Sequence, residues 1–177
     1  DKLVLKNINL KIKKGEIHVL FGPNGAGKTT LIMSIMGFPE YKVKSGGIYF
    51  NGKDITDLRI DERAKLGIGI SFQRPPTIKG LLTKDLVKAI IKLYKNEPNI
   101  AEIAEFLNVK HLLNRSINDS FSGGEIKRSE LFQLMIQNPK LVLLDEPESG
   151  VDLENISLIG IAINKLLERD IKSESNF

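Results

Sequence analysis

The chain has 177 residues, 41% of them apolar and 27% charged, with a net charge of +4. That length and balance suit one globular domain with a substantial core and exclude a disordered or fibrous chain. Cysteine is absent, which excludes disulfides, thiolate metal sites and any cysteine-ligated iron–sulfur cluster on this chain, and no apolar run approaches the ~18 residues of a membrane span.

In chain order, Leu3 to Ile12 alternates Ile8, Leu10 and Ile12 with Asn9 and Lys11, the period of a half-exposed strand. A turn at Lys13-Lys14-Gly15-Glu16 leads into a second predicted strand, Ile17 to Phe21. Next comes Gly22-Pro23-Asn24-Gly25-Ala26-Gly27-Lys28-Thr29-Thr30, followed by a predicted helix, Leu31 to Met36, closed by Gly37. Gly22, Gly27, Lys28 and Thr29 satisfy G-x-x-x-x-G-K-[ST], the pattern of a phosphate-binding loop. Glycines let the backbone amides close around a triphosphate at the positive end of the helix. Lys28 then reaches the β- and γ-phosphates, and the Thr29 hydroxyl ligates Mg²⁺. The Asn51-Gly52 pair predicts a hairpin within 46–55, Ile60 to Leu66 a short helix, and Gly67 to Phe72 a buried strand ending at Gln73.

Pro75-Pro76 breaks the pattern. Three amphipathic stretches follow: Leu82 to Tyr94, with Leu86, Ile90, Leu93 and Tyr94 on one face; Ile100 to Leu107; and Glu125 to Gln137. Residues 77–138 therefore read as an all-helical insertion. Lys84, Lys88, Lys92 and Lys95 read as a solvated face. His18 and His111 read as packed or surface residues with nothing to coordinate. The remaining lysines are scattered rather than gathered in a stripe, so nucleic acid is not expected as a partner. The N-terminus shows no signal-peptide pattern, and the expected location is the cytoplasm.

Lys140 to Leu144 is a continuous apolar strand, as in a sheet covered on both faces, and it ends in Asp145-Glu146. Ligands of open α/β sheets gather at such carboxyl ends. Asp145 is the candidate Mg²⁺ ligand beside Thr29, and Glu146 the residue aimed at a water near the γ-phosphate. Leu153 to Leu167 is a last helix, with Ile156, Ile159, Ile163 and Leu166-Leu167 on its buried side. The fold class expected is α/β: a phosphate-loop nucleotide-binding core of mainly parallel sheet at 1–76 and 139–177, with a small antiparallel region and the helical subdomain at 77–138.

Phe121-Ser122-Gly123-Gly124-Glu125, opening a helix ahead of the acidic strand, resembles the signature motif of ATP-binding-cassette (ABC) ATPases. Gln73 resembles that family's Q-loop, and Glu148-Ser149-Gly150-Val151-Asp152 its D-loop. The resemblance covers nearly the whole chain. It implies two domains head to tail with MgATP between them: Ser122, Gly123, Gly124 and Glu125 face nucleotide across the dimer, and Gln73 senses the γ-phosphate and Mg²⁺. It also makes Glu146 the base or water-orienting residue, and Asp152 a contact to the opposite subunit. The variants Phe121 to Arg128 and Asp145 to Asp152 are similar to the Suf branch, the cytosolic ATPases of iron–sulfur cluster assembly, whose partners are soluble SufB/SufD-like scaffolds. A membrane-transporter subunit working with a permease, and a nucleotide-regulated binding module with little hydrolysis, are the alternatives. The family also expects an adenine-stacking aromatic before Asp1 and a switch histidine after the last helix. No residue here matches either, so both ends look cut.

Overall fold

The computed structural model describes residues 3–172, apart from the side chains at 154 and 168–172. The chain divides into two units, Asp1–Ile68 and Gly69–Phe177.

In the first unit, residues 3–27 form no strand, so the two strands expected at Leu3–Ile12 and Ile17–Phe21 are not present as paired strands. Ile8, Leu10 and Ile12 are exposed, and Phe21 is 91% exposed. Alternation tells which side chains share a face, but a ladder also needs a neighbour's N–H and C=O groups. None of the described segments supplies them. The helix that follows forms as expected. α1 (Lys28–Met36) starts at Gly27 and stops at Gly37, whose φ of 91° lets its N–H reach the Met33 carbonyl at 2.9 Å. The Asn-Gly hairpin also forms: β1 (Tyr49–Phe50) pairs antiparallel with β2 (Lys53–Asp54), and Asn51 and Gly52 both adopt positive φ.

α2 (Ile60–Lys65) contributes a residue the sequence reading passes over. Arg63 is buried at 2% exposure, and its guanidinium makes four bonds to backbone carbonyls. Nη1 donates to Ser34 and Ile35 at 2.8 Å each, in the last turn of α1; Nε donates to Leu58 at 2.9 Å and Nη2 to Thr56 at 2.7 Å. A guanidinium suits this job because helix carbonyls at a C-terminus lack internal partners and carry partial negative charge. Desolvation lowers the Arg63 pKa, yet the group stays a cation. Gly37 leaves room for it, since a Cβ there would lie 2.7 Å from the Arg63 Nε.

The second unit begins with most of β3 (Ile68–Ser71) and continues through β4 (Ile78–Leu82), α3 (Thr83–Tyr94), α4 (Ile100–Phe106), a 3₁₀ turn at Lys110–Leu112, β5 (Ser116–Ile117), α5 (Gly123–Gln137), β6 (Leu141–Leu144) and α6 (Leu153–Lys172). β3 lies beside β6, and the Asp145 amide donates to the Ser71 carbonyl at 3.1 Å, so the carboxyl ends of the two strands meet. The core is built around α5, with Leu131, Phe132, Met135 and Ile136 at 1% exposure or less. Val87, Ile103, Leu107, Leu112, Ile159, Ala162 and Leu166 pack into the same cluster.

Residues 77–138 are not all-helical as expected: beside α3, α4 and α5 they contain one strand pair, β4 with β5, antiparallel and irregular between Ile78 and Leu82. Lys79 and Gly80 hide this pair from a reading by apolar pattern, and its hydrogen bonds come from a segment more than 30 residues away. The inner face of α3 is rotated from the expected one: Val87 is buried and Leu93 is 53% exposed. On α6, Ile156 is likewise 39% exposed while Ala162 is buried. A lysine face on α3 is present, though Lys84 bonds the Asn114 carboxamide at 2.8 Å and Lys88 pairs with Asp85 at 3.2 Å.

Candidate active site

Three groups of expected site residues can be described. The first is the loop ahead of α1. Its tightest element is a turn in which the Ala26 amide donates to the Pro23 carbonyl at 3.2 Å, with Gly25 at φ 80°. Gly27 caps α1 in a left-handed conformation, φ 98°, so the helix opens with the amides of Lys28, Thr29 and Thr30 at its positive end. The Lys28 ammonium folds back over the loop and donates to the Gly22 carbonyl at 2.8 Å and the Pro23 carbonyl at 3.1 Å. Residues 22–26 are exposed and Lys28 to Thr30 half-buried. The loop is thus an open turn with a cation tethered at its mouth.

The second group lies where β3 and β6 end. Asp145 is 2% exposed directly after β6. Glu146 follows with φ 47°, a left-handed conformation that a glutamate adopts only at a cost. Its carboxylate accepts a hydrogen bond from the Gln73 side-chain amide. Two residues 73 apart in sequence and both singled out from it are therefore joined. The backbone before Gln73 is held from α5. Glu130 accepts from the Ser71 hydroxyl at 3.0 Å and the Phe72 amide at 2.9 Å; the Lys127 ammonium donates to the Phe72 carbonyl and, at 3.2 Å, to the Gln73 carbonyl. Burial pushes the Glu130 carboxyl up, while the Phe72 amide and the Lys127 charge pull against that rise.

The third group is the start of α5. Ser122 caps the helix by accepting from the Glu125 amide at 3.2 Å, and the Glu125 carboxylate returns the bond by accepting from the Ser122 amide at 2.8 Å. His111, expected to stand alone, lies 2.8 Å from the other Glu125 oxygen; His18 likewise has Glu16 at 3.0 Å. The glycines of this turn have a steric reason beyond open amides. A Cβ on Gly123 would lie 2.0 Å from the Gly150 carbonyl oxygen, and one on Gly124 would run into the Asn155 side chain at 2.7 Å. The segment after Pro147 therefore packs directly on the α5 N-terminus. Asp152 is engaged within its own chain: its carboxylate accepts from the Asn155 amide at 2.9 Å and caps α6.

The pair of bonds at Glu125 has a measurable consequence. Its carboxyl is held below its ordinary value of 4.5, chiefly by the His111 hydrogen bond and then by the Ser122 amide. A carboxyl whose folded pKa is depressed stabilises the fold above its unfolded pKa, and that contribution is lost as pH falls through the folded value. Glu125→Ala is expected to cost about 1 kcal/mol at neutral pH, as for a lost helix cap. Thermal melts should show the gap from the parent protein closing below pH 4.5; a gap of constant size through that range would contradict the assignment.

Sequence reasoning missed Arg63, Lys127 and Glu130. For Lys127 and Glu130 the one available signal was charge on a helix face that also carries Leu131 and Leu134, and it does not say which backbone the charges bind; Arg63 lies on the short helix α2 and had no such signal.

A family model described as "ABC transporter" matches residues 5–149. The chain belongs to the ABC family. It is 39% identical over 176 residues to "Vegetative protein 296" of Bacillus subtilis (strain 168), covering 93% of this chain and 67% of that protein. To the "Probable ATP-dependent transporter ycf16" of Cyanidium caldarium it is also 39% identical, over 92% of this chain and 69% of the other. Among solved structures, MJ0796, described as a bacterial ABC transporter cassette and solved as a dimer, superposes with a TM-score of 0.78 at 28% identity, over 94% of this chain and 76% of that one. The same cassette has been solved in a post-hydrolysis state bound to ADP and Pi. As an ABC ATPase, this chain is an ATP hydrolase and uses ATP with Mg²⁺. Among the described residues, no helix is long and apolar enough to cross a membrane.

Proposed function

We propose that this ABC ATPase binds MgATP with the loop from Gly22 to Thr30 and hydrolyses it with Glu146 and Gln73. The backbone N–H groups of Asn24, Gly25, Ala26 and Gly27 face the phosphates, Pro23, which has no N–H, fixes the turn ahead of them, Lys28 neutralises the β/γ pair, and Thr30 extends the helix N-terminus beneath them. Thr29, Gln73 and Asp145 hold the Mg²⁺. A hydroxyl, a carboxamide and a buried carboxylate are hard oxygen donors, and Mg²⁺ in such sites keeps water and phosphate oxygens for its other positions. When bound, Mg²⁺ offsets the charge on the phosphates. Glu146 orients the attacking water and takes its proton, and Gln73 fixes the Glu146 carboxylate. The Gln73–Glu146 hydrogen bond is the observation that carries this reading.

Ser122 to Glu125 serve the nucleotide bound by a second copy, arranged head to tail. The dimeric state of MJ0796 supports this arrangement. Within the family the reading is SufC-like: hydrolysis drives a conformational change in a soluble, cytoplasmic iron–sulfur scaffold that supplies the cysteines lacking here. The Glu125, Lys127-Arg128 and Gly150-Val151-Asp152 variants support it. A second reading, the nucleotide-binding subunit of a transporter, is favoured by the names of relatives such as ycf16. Affinity purification separates the two. A soluble, cysteine-bearing scaffold that copurifies and raises ATPase activity is the expected result, whereas a membrane permease in its place would replace the first reading by the second.

Lys28→Ala tests the loop. Losing a charge-assisted contact of about 1.5–3 kcal/mol should weaken ATP binding roughly 10- to 100-fold in titration calorimetry. Unaltered affinity would remove the loop from the site.

A further inference from the structure

One turn of α5 grips a single peptide from both sides. Lys127 and Glu130 stand three residues apart on that helix, 3% and 7% exposed as side chains, with 3.6 Å between the ammonium and the carboxylate. Glu130 takes the Phe72 N–H, and Lys127 gives to the Phe72 carbonyl and to the next one, at Gln73. A third tie, from the Ser71 hydroxyl to Glu130, fixes the residue before. Ser71 ends β3, and its carbonyl accepts from the Asp145 amide. The side chain of Gln73, the last residue so held, bonds Glu146. A continuous chain of bonds therefore runs from α5 through residues 71–73 to Glu146. An apolar helix face would fill the same volume but would leave the Phe72 amide and carbonyl without these partners, and buried polar groups are costly to leave so.

We propose that Glu130, seconded by Lys127, is a positioning residue for hydrolysis: it sets the backbone of residues 71–73 so that Gln73 holds Glu146 in its water-orienting pose. The helix that opens with the Ser122 turn thereby controls the carboxylate at the end of β6. Glu130 bonds Ser71 and Phe72 and acts through Gln73. The inference rests on the reading that Gln73 and Glu146 serve hydrolysis.

The test is a double-mutant cycle in the intact protein, with kcat, KM for MgATP and unfolding midpoint measured for each variant. Glu130→Gln should lower kcat roughly 10- to 100-fold, the scale of a misplacement of about 1 Å at a catalytic group, with KM for MgATP rising by a smaller factor, because the phosphate loop is untouched and only one of the proposed Mg²⁺ ligands is disturbed. In a Gln73→Ala background the same substitution should cost little more, since its route to Glu146 is already cut. Full additivity in that background, or a folded Glu130→Gln protein with parental kcat, would overturn the proposal. If Glu130→Gln does not fold, Ser71→Ala takes its place in the cycle: it removes one tie to Glu130 and should give a smaller loss of the same kind, again absent without Gln73. Glu146→Gln and Gln73→Ala alone separate the two levels: parental rates in both would overturn the underlying reading of the site, and this proposal with it. Reduced rates in both with additive Glu130 effects overturn the proposal alone.

Discussion

Glu146→Gln is expected to lower ATP hydrolysis by roughly 10² to 10⁴ while leaving nucleotide affinity within about threefold, the usual weight of a positioned acid–base group. In barrier terms that is about 2.7–5.5 kcal/mol. The substitution is well chosen because it preserves size and geometry. Glutamine at 146 still offers an oxygen to the Gln73 amide, which donates to the carboxylate in the parent protein. The left-handed backbone at φ 47° is under no new steric demand. What disappears is the negative charge and the capacity to take a proton from water. Single-turnover hydrolysis with saturating MgATP, paired with equilibrium nucleotide binding, separates the chemical step from binding. A parental single-turnover rate would move the base elsewhere on the chain. A loss of binding equal to the loss of rate would mean that Glu146 holds the nucleotide rather than the water.

Arg63→Leu carries the largest expected stability effect. The parent guanidinium satisfies the carbonyls of Ser34, Ile35, Thr56 and Leu58 in a site 2% exposed to solvent. Leucine fills part of the volume and bonds none of them. A buried polar group without a partner costs about 1–3 kcal/mol, and water entering the space left by the guanidinium recovers part of the total, so a loss of about 3–5 kcal/mol is expected in denaturant unfolding. Arg63→Lys should fall between, because an ammonium on a flexible stem reaches fewer carbonyls than a planar fork. Two of the four carbonyls belong to the last turn of α1, whose first turn follows the phosphate loop. ATP affinity should therefore fall along with stability. A change below about 1 kcal/mol in Arg63→Leu would show that water replaces the guanidinium at little cost.

The sequence by itself determined the local chemistry of this protein. The glycine-rich turn before α1, the Asn-Gly hairpin, the stop at Gly37, the Ser122 cap with Glu125, and the apolar strand ending in Asp145-Glu146 all follow from residue types at short spacing, where φ preferences and side-chain-to-backbone reach decide the outcome. Family membership was legible for the same reason, since its motifs are short and ordered along the chain. Only the tertiary structure decided which distant groups meet. It left Ile17 to Phe21 outside any ladder, made a strand pair of Ile78–Leu82 and Ser116–Ile117, turned the inner face of α3 toward Val87, and set Gly123 against Gly150. It also put Arg63 under α1 and the Lys127–Glu130 pair around Phe72. A strand needs a neighbour and a buried charge needs a partner, and hydrogen bonding to groups tens of residues away leaves no periodic trace in the sequence.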